Sequence, residues 1–156
     1  MKILNRMKST TLYNYGDHLL FVVNHRFNDG IVRMTSEIEI FDVTDCQDTL
    51  TRKLKTCFEK FDVGSEYKIE MNKAFQSRIS EAVGVKKYND FIKGSNMIKL
   101  VDVGDEIKLQ PLKSADKFRG YDSYQGIIES FSKEELESNQ VVQAILRLFD
   151  QMKSQI

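Results

Sequence analysis

The alternation of apolar and polar positions predicts β-strands near the beginning of the chain. Within residues 12–27, the run 19–23 consists of five apolar residues rich in β-formers, and such a short run indicates a buried strand. Asp29-Gly30 then precedes a second β-rich run at residues 31–34. An Asp-Gly pair in this position is a good signal for a hairpin turn.

A period of two continues through the next ten residues. Ile38 and Ile40, followed by Val43, alternate with acidic residues. Since successive side chains of a strand point to opposite faces, this pattern predicts a strand with one face in water. The acidic residues that alternate with the apolar ones are Glu37, Glu39 and Asp42.

The pattern changes to a helical period after Asp45. Apolar residues recur at offsets of four, seven, eight and eleven, at Leu50, Leu54, Cys57, Phe58 and Phe61. Charged residues occupy the other side, and acidic residues lie near the beginning, where the helix dipole favours them. We predict an amphipathic helix that ends before Gly64.

The middle of the chain predicts two short helices and a hairpin. Residues 72–93 are typical of two short helices with a break near Gly84. Two β-rich runs, 97–103 and 106–109, flank Gly104-Asp105, and this arrangement predicts a β-hairpin.

The last third of the chain predicts one more strand and a long helix. Residues 111–123 are polar and irregular, and 124–130 have the composition of a strand. Ser132 and Glu135 have the spacing of a capping box, which marks the beginning of a helix. The apolar face of this helix would comprise Val142, Ile145, Leu146, Phe149 and Met152.

This order of elements predicts an α+β fold, with a largely antiparallel β-sheet packed with helices. A chain of 156 residues suits one domain, and its single proline and the lack of a Gly/Ser-rich stretch give no sign of a linker. We therefore predict a single domain over Met1–Ile156.

Charge, apolar runs and cysteine spacing narrow the class of protein and its compartment. The 23 basic and 23 acidic residues cancel, which argues against a dedicated nucleic-acid binder. The longest apolar run is too short to span a bilayer, so we expect no membrane partner. Cys46 and Cys57, eleven residues apart on one predicted helix, would be about 16 Å apart and could not form a disulfide. Reduced thiols and the lack of a secretory signal favour the cytosol.

The candidates for catalysis each have a simpler structural interpretation. His18 and His25 lack the partners and spacing of a metal site. Cys57 lies in the apolar stripe of its helix, where a buried thiol is usually inert. No phosphate-binding loop, dinucleotide motif or hydrolase elbow occurs, so we predict no cofactor and no enzymatic activity. A small enzyme of unrecognised class, or a nucleic-acid-binding regulatory module, stays open as an alternative.

Two segments are better suited to binding another protein. Residues 37–48 contain five acidic residues and no base, and such a patch could meet a basic partner. Residues 117–124 combine aromatic and charged side chains in a loop, a combination typical of interface hot spots. The positions predicted to bind are Glu37, Glu39, Asp42, Phe118, Arg119, Tyr121 and Asp122. The alternative is that the acids form a solvated face and that Phe118 and Tyr124 fold back onto the core.

A resemblance to a known family begins at residue 77. Its elements are Ser77-Arg78, Val85-Lys86-Lys87-Tyr88, the hairpin with Gly104, Ile107 and Pro111, and the later pair Gly120-Tyr121. In this order they resemble one group of immunity proteins of contact-dependent growth inhibition, the CdiI group. The match covers about a third of the chain.

The resemblance implies a protein that binds the C-terminal toxin domain of a large surface effector, often a nuclease, and blocks it without chemistry. Contact residues diversify among such pairs, so it assigns none in this chain. Two modes of inhibition are open. An acidic face could cover a basic nuclease cleft, or an exposed sheet edge, for which we expect the hairpin 97–109, could accept a strand from the toxin.

Overall fold

A computed structural model describes residues 7–115 and 120–153, in which eight strands form one sheet. The strands are β1 Ser9–Tyr15, β2 His18–Phe27, β3 Val32–Asp42, β4 Asp62–Ser65, β5 Ser95–Asp102, β6 Glu106–Ala115, β7 Gly120–Ser123 and β8 Glu129–Ser132. The helices are α1 Gln47–Glu59, α2 Glu70–Val83, α3 Tyr88–Gly94, a 3₁₀ helix Lys133–Glu137 and α4 Gln140–Lys153. The predicted α+β fold, with a largely antiparallel sheet in one domain, is confirmed.

The main path of the sheet runs β3-β2-β1-β5-β6-β7, and neighbours along it are antiparallel. β4 pairs in parallel with the end of β2, and β8 pairs with the first half of β6. The hairpin 97–109, expected at an edge, lies inside the sheet instead. β5 pairs with β1 and β6, and β6 also pairs with β7 and β8. β3 therefore forms one edge, and the short β7 and β8 form the other.

The first strand of the described residues is one that the apolar pattern does not reveal. Residues 12–27, interpreted as one buried strand, form two strands, and Gly16 with a positive φ of 57° allows the turn between them. β1 contains Thr10, Thr11 and Asn14, polar residues that are nevertheless buried. Their burial results from pairing with strands on both sides, which a search for apolar runs does not detect.

β3 is one continuous strand of eleven residues, where the sequence suggested two. The predicted assignment of its faces is also wrong. Ile38 is 7% exposed but Ile40 is 36% exposed. On the opposite, acidic face Phe41 packs against the core, with its ring 5.0 Å from that of Phe21.

One face of the sheet packs against α1 and α4. α1 buries Leu50, Leu54, Cys57 and Phe58 as predicted and ends at Glu59, before Gly64, which lies in β4. The final helix is interrupted, because the capping box of Ser132 and Glu135 begins the 3₁₀ helix, and α4 starts only at Gln140. Seven residues of α4 are buried: Val141, Val142, Ala144, Ile145, Leu148, Phe149 and Met152. We call this side of the sheet the closed face.

α2 and α3 pack against the opposite face. The break predicted near Gly84 is confirmed, since this residue ends α2 in the left-handed conformation, with φ 77°. Phe75 and Ile79 of α2 and Phe91 of α3 belong to one buried cluster with the sheet residue Tyr13. The Tyr13 ring meets that of Phe91 edge to face at 5.0 Å. These helices cover part of this face only, so we call it the half-open face.

The region before the 3₁₀ helix is more regular than the sequence suggested. Residues 111–123, predicted to be irregular, include the second half of β6 and all of β7. Residues 124–130, predicted to be a strand, are mostly the connection to β8, which begins at Glu129. Tyr124 is 6% exposed and packs into the core of the closed face.

Candidate functional site

The exposed edge strand β3 carries three of the five acidic residues of the predicted binding segment. We call Glu37, Glu39 and Asp42 the acidic edge. Glu37 is half exposed and forms an ion pair with Lys60, the residue that follows α1, and this pair raises the pKa of the lysine. The pair lies in water, where exposed ion pairs contribute little to stability. Glu39 is partly buried on the same face of the strand.

The acids at the end of β3 stabilise the turn into α1. Asp42 accepts hydrogen bonds from the backbone N–H and the hydroxyl of Thr44, at 3.0 and 2.8 Å, and these bonds lower the pKa of Asp42. Asp45 accepts the backbone N–H of Asp42 at 2.9 Å, and Asp48 accepts the amide of Asn139 at 2.7 Å. Part of the acidic segment therefore has a structural role, while its charge stays exposed.

The aromatic segment predicted to bind a partner lies at the other edge of the sheet. Phe118 and Arg119 lie outside the described residues, and of Asp122 only the backbone in β7, paired with Lys113, is described. The Tyr121 hydroxyl lies 2.6 Å from the Ser95 hydroxyl, and burial raises the pKa of Tyr121. Since β7 and β3 are opposite edges, the structure does not bring the acidic edge and Tyr121 together.

The residues considered for catalysis are not arranged around a common centre. His18 begins β2 and is exposed, whereas His25 is partly buried seven residues later on the same strand. Cys57 is 2% exposed, and burial, with Glu39 nearby, raises the pKa of its thiol to about 11. Among the described residues, no group of three or more His, Cys, Asp or Glu could hold a metal ion.

A cavity of about 590 Å³ opens on the half-open face, where the sheet is not covered by helices. We call it the sheet cavity. Its floor is formed by two rows of cross-strand neighbours, in which Thr11 pairs with Lys99 and Ser9 pairs with Val101. Gln110 of β6 extends the first row beside Lys99. Paired residues of adjacent strands have their Cβ atoms about 5 Å apart on the same face, so these side chains are neighbours.

A buried hydrogen-bond network fixes one side of the floor. The Asn24 amide donates to the Ser9 hydroxyl and to the Thr11 hydroxyl, both at 3.0 Å. All three residues are buried, and Asn24 follows an irregularity in the pairing of β2 with β3. Bonding within this network offsets the cost of burying polar groups.

The opposite wall of the cavity comes from β3 and from the segment before α2. Arg33 lies over the Tyr67 ring, 3.8 Å from its centre, and pairs with Asp29 at 2.8 Å. The pair lowers the pKa of Asp29 and leaves Arg33 with its charge balanced. Asn72 and Phe75 of α2 complete this wall.

Lys99 is the cation of the sheet cavity that has no partner of opposite charge among the described residues. Its side chain is partly buried, and this burial lowers the pKa of its ammonium group.

The sequence did not predict the cavity because the apolar pattern did not reveal β1. The available signal was Thr10-Thr11-Leu12-Tyr13, a run of β-formers just before a Gly-Asp pair.

Comparison with solved structures finds similar folds at low sequence identity, and these include the following two. A protein of unknown function from Neisseria meningitidis is similar with a TM-score of 0.72 and 12% identity, over 92% of this chain and 93% of that one. A chain of the CdiA-CT/CdiI toxin and immunity complex from Yersinia pseudotuberculosis is similar with a TM-score of 0.67 and 11% identity, over 92% and 95%. No protein-family model matches this chain, and no curated protein matches its sequence. The likeness therefore concerns the fold.

The helices within residues 7–115 and 120–153 are all too short or too polar to cross a membrane.

Proposed function

We propose that this protein is an immunity protein that neutralises the C-terminal toxin domain of a contact-dependent growth inhibition effector. The observation that carries the proposal is the likeness of nearly the whole fold to a chain of the Yersinia toxin and immunity complex. The resemblance of residues 77–111 to the CdiI group supports the same class from the sequence. Such a protein would act in the cytosol of the producing cell, before the toxin reaches its substrate.

The proposed action is obstruction by binding, without a reaction. The thiolate is the reactive form of cysteine, and burial that raises the Cys57 pKa to about 11 keeps this thiol protonated at neutral pH.

The acidic edge offers a surface for a basic toxin. A nuclease binds nucleic acid through a positively charged face, and an acidic surface would steer such a face toward it and raise the association rate. Within the described residues, no strand pairs with the outer side of β3, so its main-chain groups are also available to a strand of the toxin. Both modes of inhibition would then use the same edge.

The test is growth of cells that express the toxin domain encoded beside this gene. Co-expression of this protein should restore growth, and the two proteins should purify as a stable complex. Growth arrest by this chain alone, or failure both to bind and to restore growth, would contradict the proposal.

A pair of charge variants tests the use of the acidic edge. Glu37→Gln together with Glu39→Gln should slow association about tenfold at low salt, with much less effect at high salt, where surface charges are screened. The matched control is Glu106→Gln. It removes an acid of β6, away from the acidic edge, where Glu106 pairs with Lys108 of the same strand. Equal association rates for both variants would exclude the acidic edge as the contact surface.

A further inference from the structure

The lining of the sheet cavity has an unbalanced positive charge. It includes two cations, Lys99 and Arg33, and no carboxylate among the described residues that form it. The charge of Arg33 is balanced by Asp29, which lies beside the cavity at 2.8 Å from the guanidinium. One unbalanced charge, that of Lys99, therefore remains.

An unpaired ammonium group in a partly buried position is costly to the fold. Burial removes water from the charge, and no described carboxylate replaces it. An apolar residue at the same position of β5 would avoid this cost, as Met97 and Val101 do on the same face. The position of Lys99 is thus better explained by a ligand than by stability.

Neutral hydrogen-bond donors surround this charge. The Ser9 hydroxyl accepts a bond from Asn24, so its own proton can be donated to a ligand. The side chain of Gln110 lies beside Lys99 and has no hydrogen-bond partner among the described residues. A cation with nearby hydroxyl and amide donors is the arrangement that recognises a carboxylate.

The remaining walls indicate the rest of the ligand. Met97, Val101, Ile31 and Phe75 give the cavity apolar surface, and its volume of about 590 Å³ lies in the range of small-molecule sites. A single unbalanced cation suits a singly charged head group, whereas a phosphate carries more charge.

We infer that the sheet cavity is a binding site for a small monocarboxylate with an apolar body, held at its head group by Lys99, Ser9 and Gln110. This inference goes beyond the proposed function and does not depend on it, because it concerns the protein without a toxin.

The experiment is a titration of the intact protein with benzoate at neutral pH and low salt, followed by NMR of its backbone amides. Saturable shifts should appear at residues of β1, β5 and β6 that line the cavity. Benzamide, which has the same shape without the charge, and inorganic phosphate should bind at least about tenfold more weakly. Absence of saturable shifts at these residues up to about 10 mM benzoate would overturn the inference.

Two substitutions connect the site to its residues. Lys99→Met keeps the length of the side chain without its charge and should weaken benzoate binding by about 10- to 100-fold. Lys87→Met, an exposed lysine at the beginning of α3, is the matched control and should bind as the wild type does. Equal binding of benzoate by the wild type and Lys99→Met would overturn the inference. Equal binding of benzoate and benzamide by the wild type would overturn it as well. Ser9→Ala, with an expected loss of several-fold, keeps the test valid if Lys99→Met does not fold.

A toxin-rescue assay of Lys99→Met separates this site from the proposed function. We expect Lys99→Met to lose benzoate binding and still rescue the cells, because the ligand of the cavity is a free small molecule and not part of the toxin. If the wild-type protein does not bind benzoate and Lys99→Met loses rescue, the cavity would instead receive a side chain of the toxin. That result would overturn the small-molecule site. Failure of the wild type to rescue contradicts the proposed function alone.

Discussion

The two faces of the sheet differ in how much of each is covered. On the closed face, α1 and α4 pack over apolar residues of β1, β2, β5 and β6. On the half-open face, α2 and α3 cover the row that contains Met97 and Tyr13, and the next rows, with Lys99 and Ser9, form the floor of the sheet cavity. One face therefore maintains the fold along its length, while the other has room for a ligand.

A single strand shows how the sequence encodes both faces. In β5, Ile98 and Leu100 are buried in the closed face, and neither is measurably exposed. Lys99, between them, points to the half-open face and lines the sheet cavity. Because side chains of a strand alternate, neighbouring residues can serve stability and binding separately.

The largest expected effect concerns the closed face. Phe149→Ala removes a buried ring from the centre of α4 and should lower the free energy of unfolding by about 3–5 kcal/mol, as measured by urea denaturation. Gln110→Ala in the sheet cavity should change it by less than about 0.5 kcal/mol. Equal losses for the two variants would remove the distinction between the faces.

Smaller changes in stability are expected at two neighbouring threonines of β1, and the two changes should have opposite signs. The Thr10 hydroxyl is buried in the closed face and finds no hydrogen-bond partner within the described residues, so Thr10→Val should stabilise the protein by about 1 kcal/mol. The Thr11 hydroxyl accepts the Asn24 amide, so Thr11→Val should destabilise it by about 1 kcal/mol. Thermal denaturation of both variants checks the signs, and a destabilised Thr10→Val would show that its hydroxyl has a partner.

The pH dependence of stability should distinguish Lys99 from an ordinary surface lysine. Burial lowers its pKa in the folded state below the unfolded value of about 10.4. Between these two pKa values the unfolded chain binds more protons, so the wild type gains stability as pH rises through this window. Relative to Lys99→Met, its deficit should be complete at neutral pH and vanish above about pH 10.4. A difference that does not change with pH would contradict this assignment.

The smallest effect is expected at the acidic edge. Glu37→Gln removes an exposed ion pair with Lys60 and should change the free energy of unfolding by less than about 0.5 kcal/mol. A loss above about 1 kcal/mol, measured by urea denaturation, would give Glu37 a structural role.

The sequence predicted those elements in which one periodicity dominates. The apolar stripe of α1, the break at Gly84 and the turn at Gly104 are all local signals, and each lies where the sequence indicated. The edges of the sheet were not predictable, because strand order depends on pairing between distant residues. The edge position predicted for the hairpin 97–109 is wrong because β5 pairs with β1, a strand that is distant in the sequence.

The sheet cavity was hidden by the same limitation. Lys99, Ser9 and Asn24 lie on three strands, and their sequence separation gives no sign that they share one surface. The acidic residues of β3 were visible as a local cluster. In the folded chain Glu37 forms an ion pair with Lys60, which balances one of these charges. Asp42 accepts a hydrogen bond from Thr44 and thereby stabilises the turn after β3.

The most direct test of the difference between the faces uses two adjacent residues of β5. Urea denaturation at neutral pH should show that Leu100→Ala loses about 2–5 kcal/mol, because it leaves a cavity in the closed face. Lys99→Met should be as stable as the wild type or more stable by up to about 1 kcal/mol, because it removes an unpaired charge from a partly buried position. A loss of about 2 kcal/mol or more for Lys99→Met, the size of a lost core contact, would show that Lys99 maintains the fold and would contradict the difference between the faces.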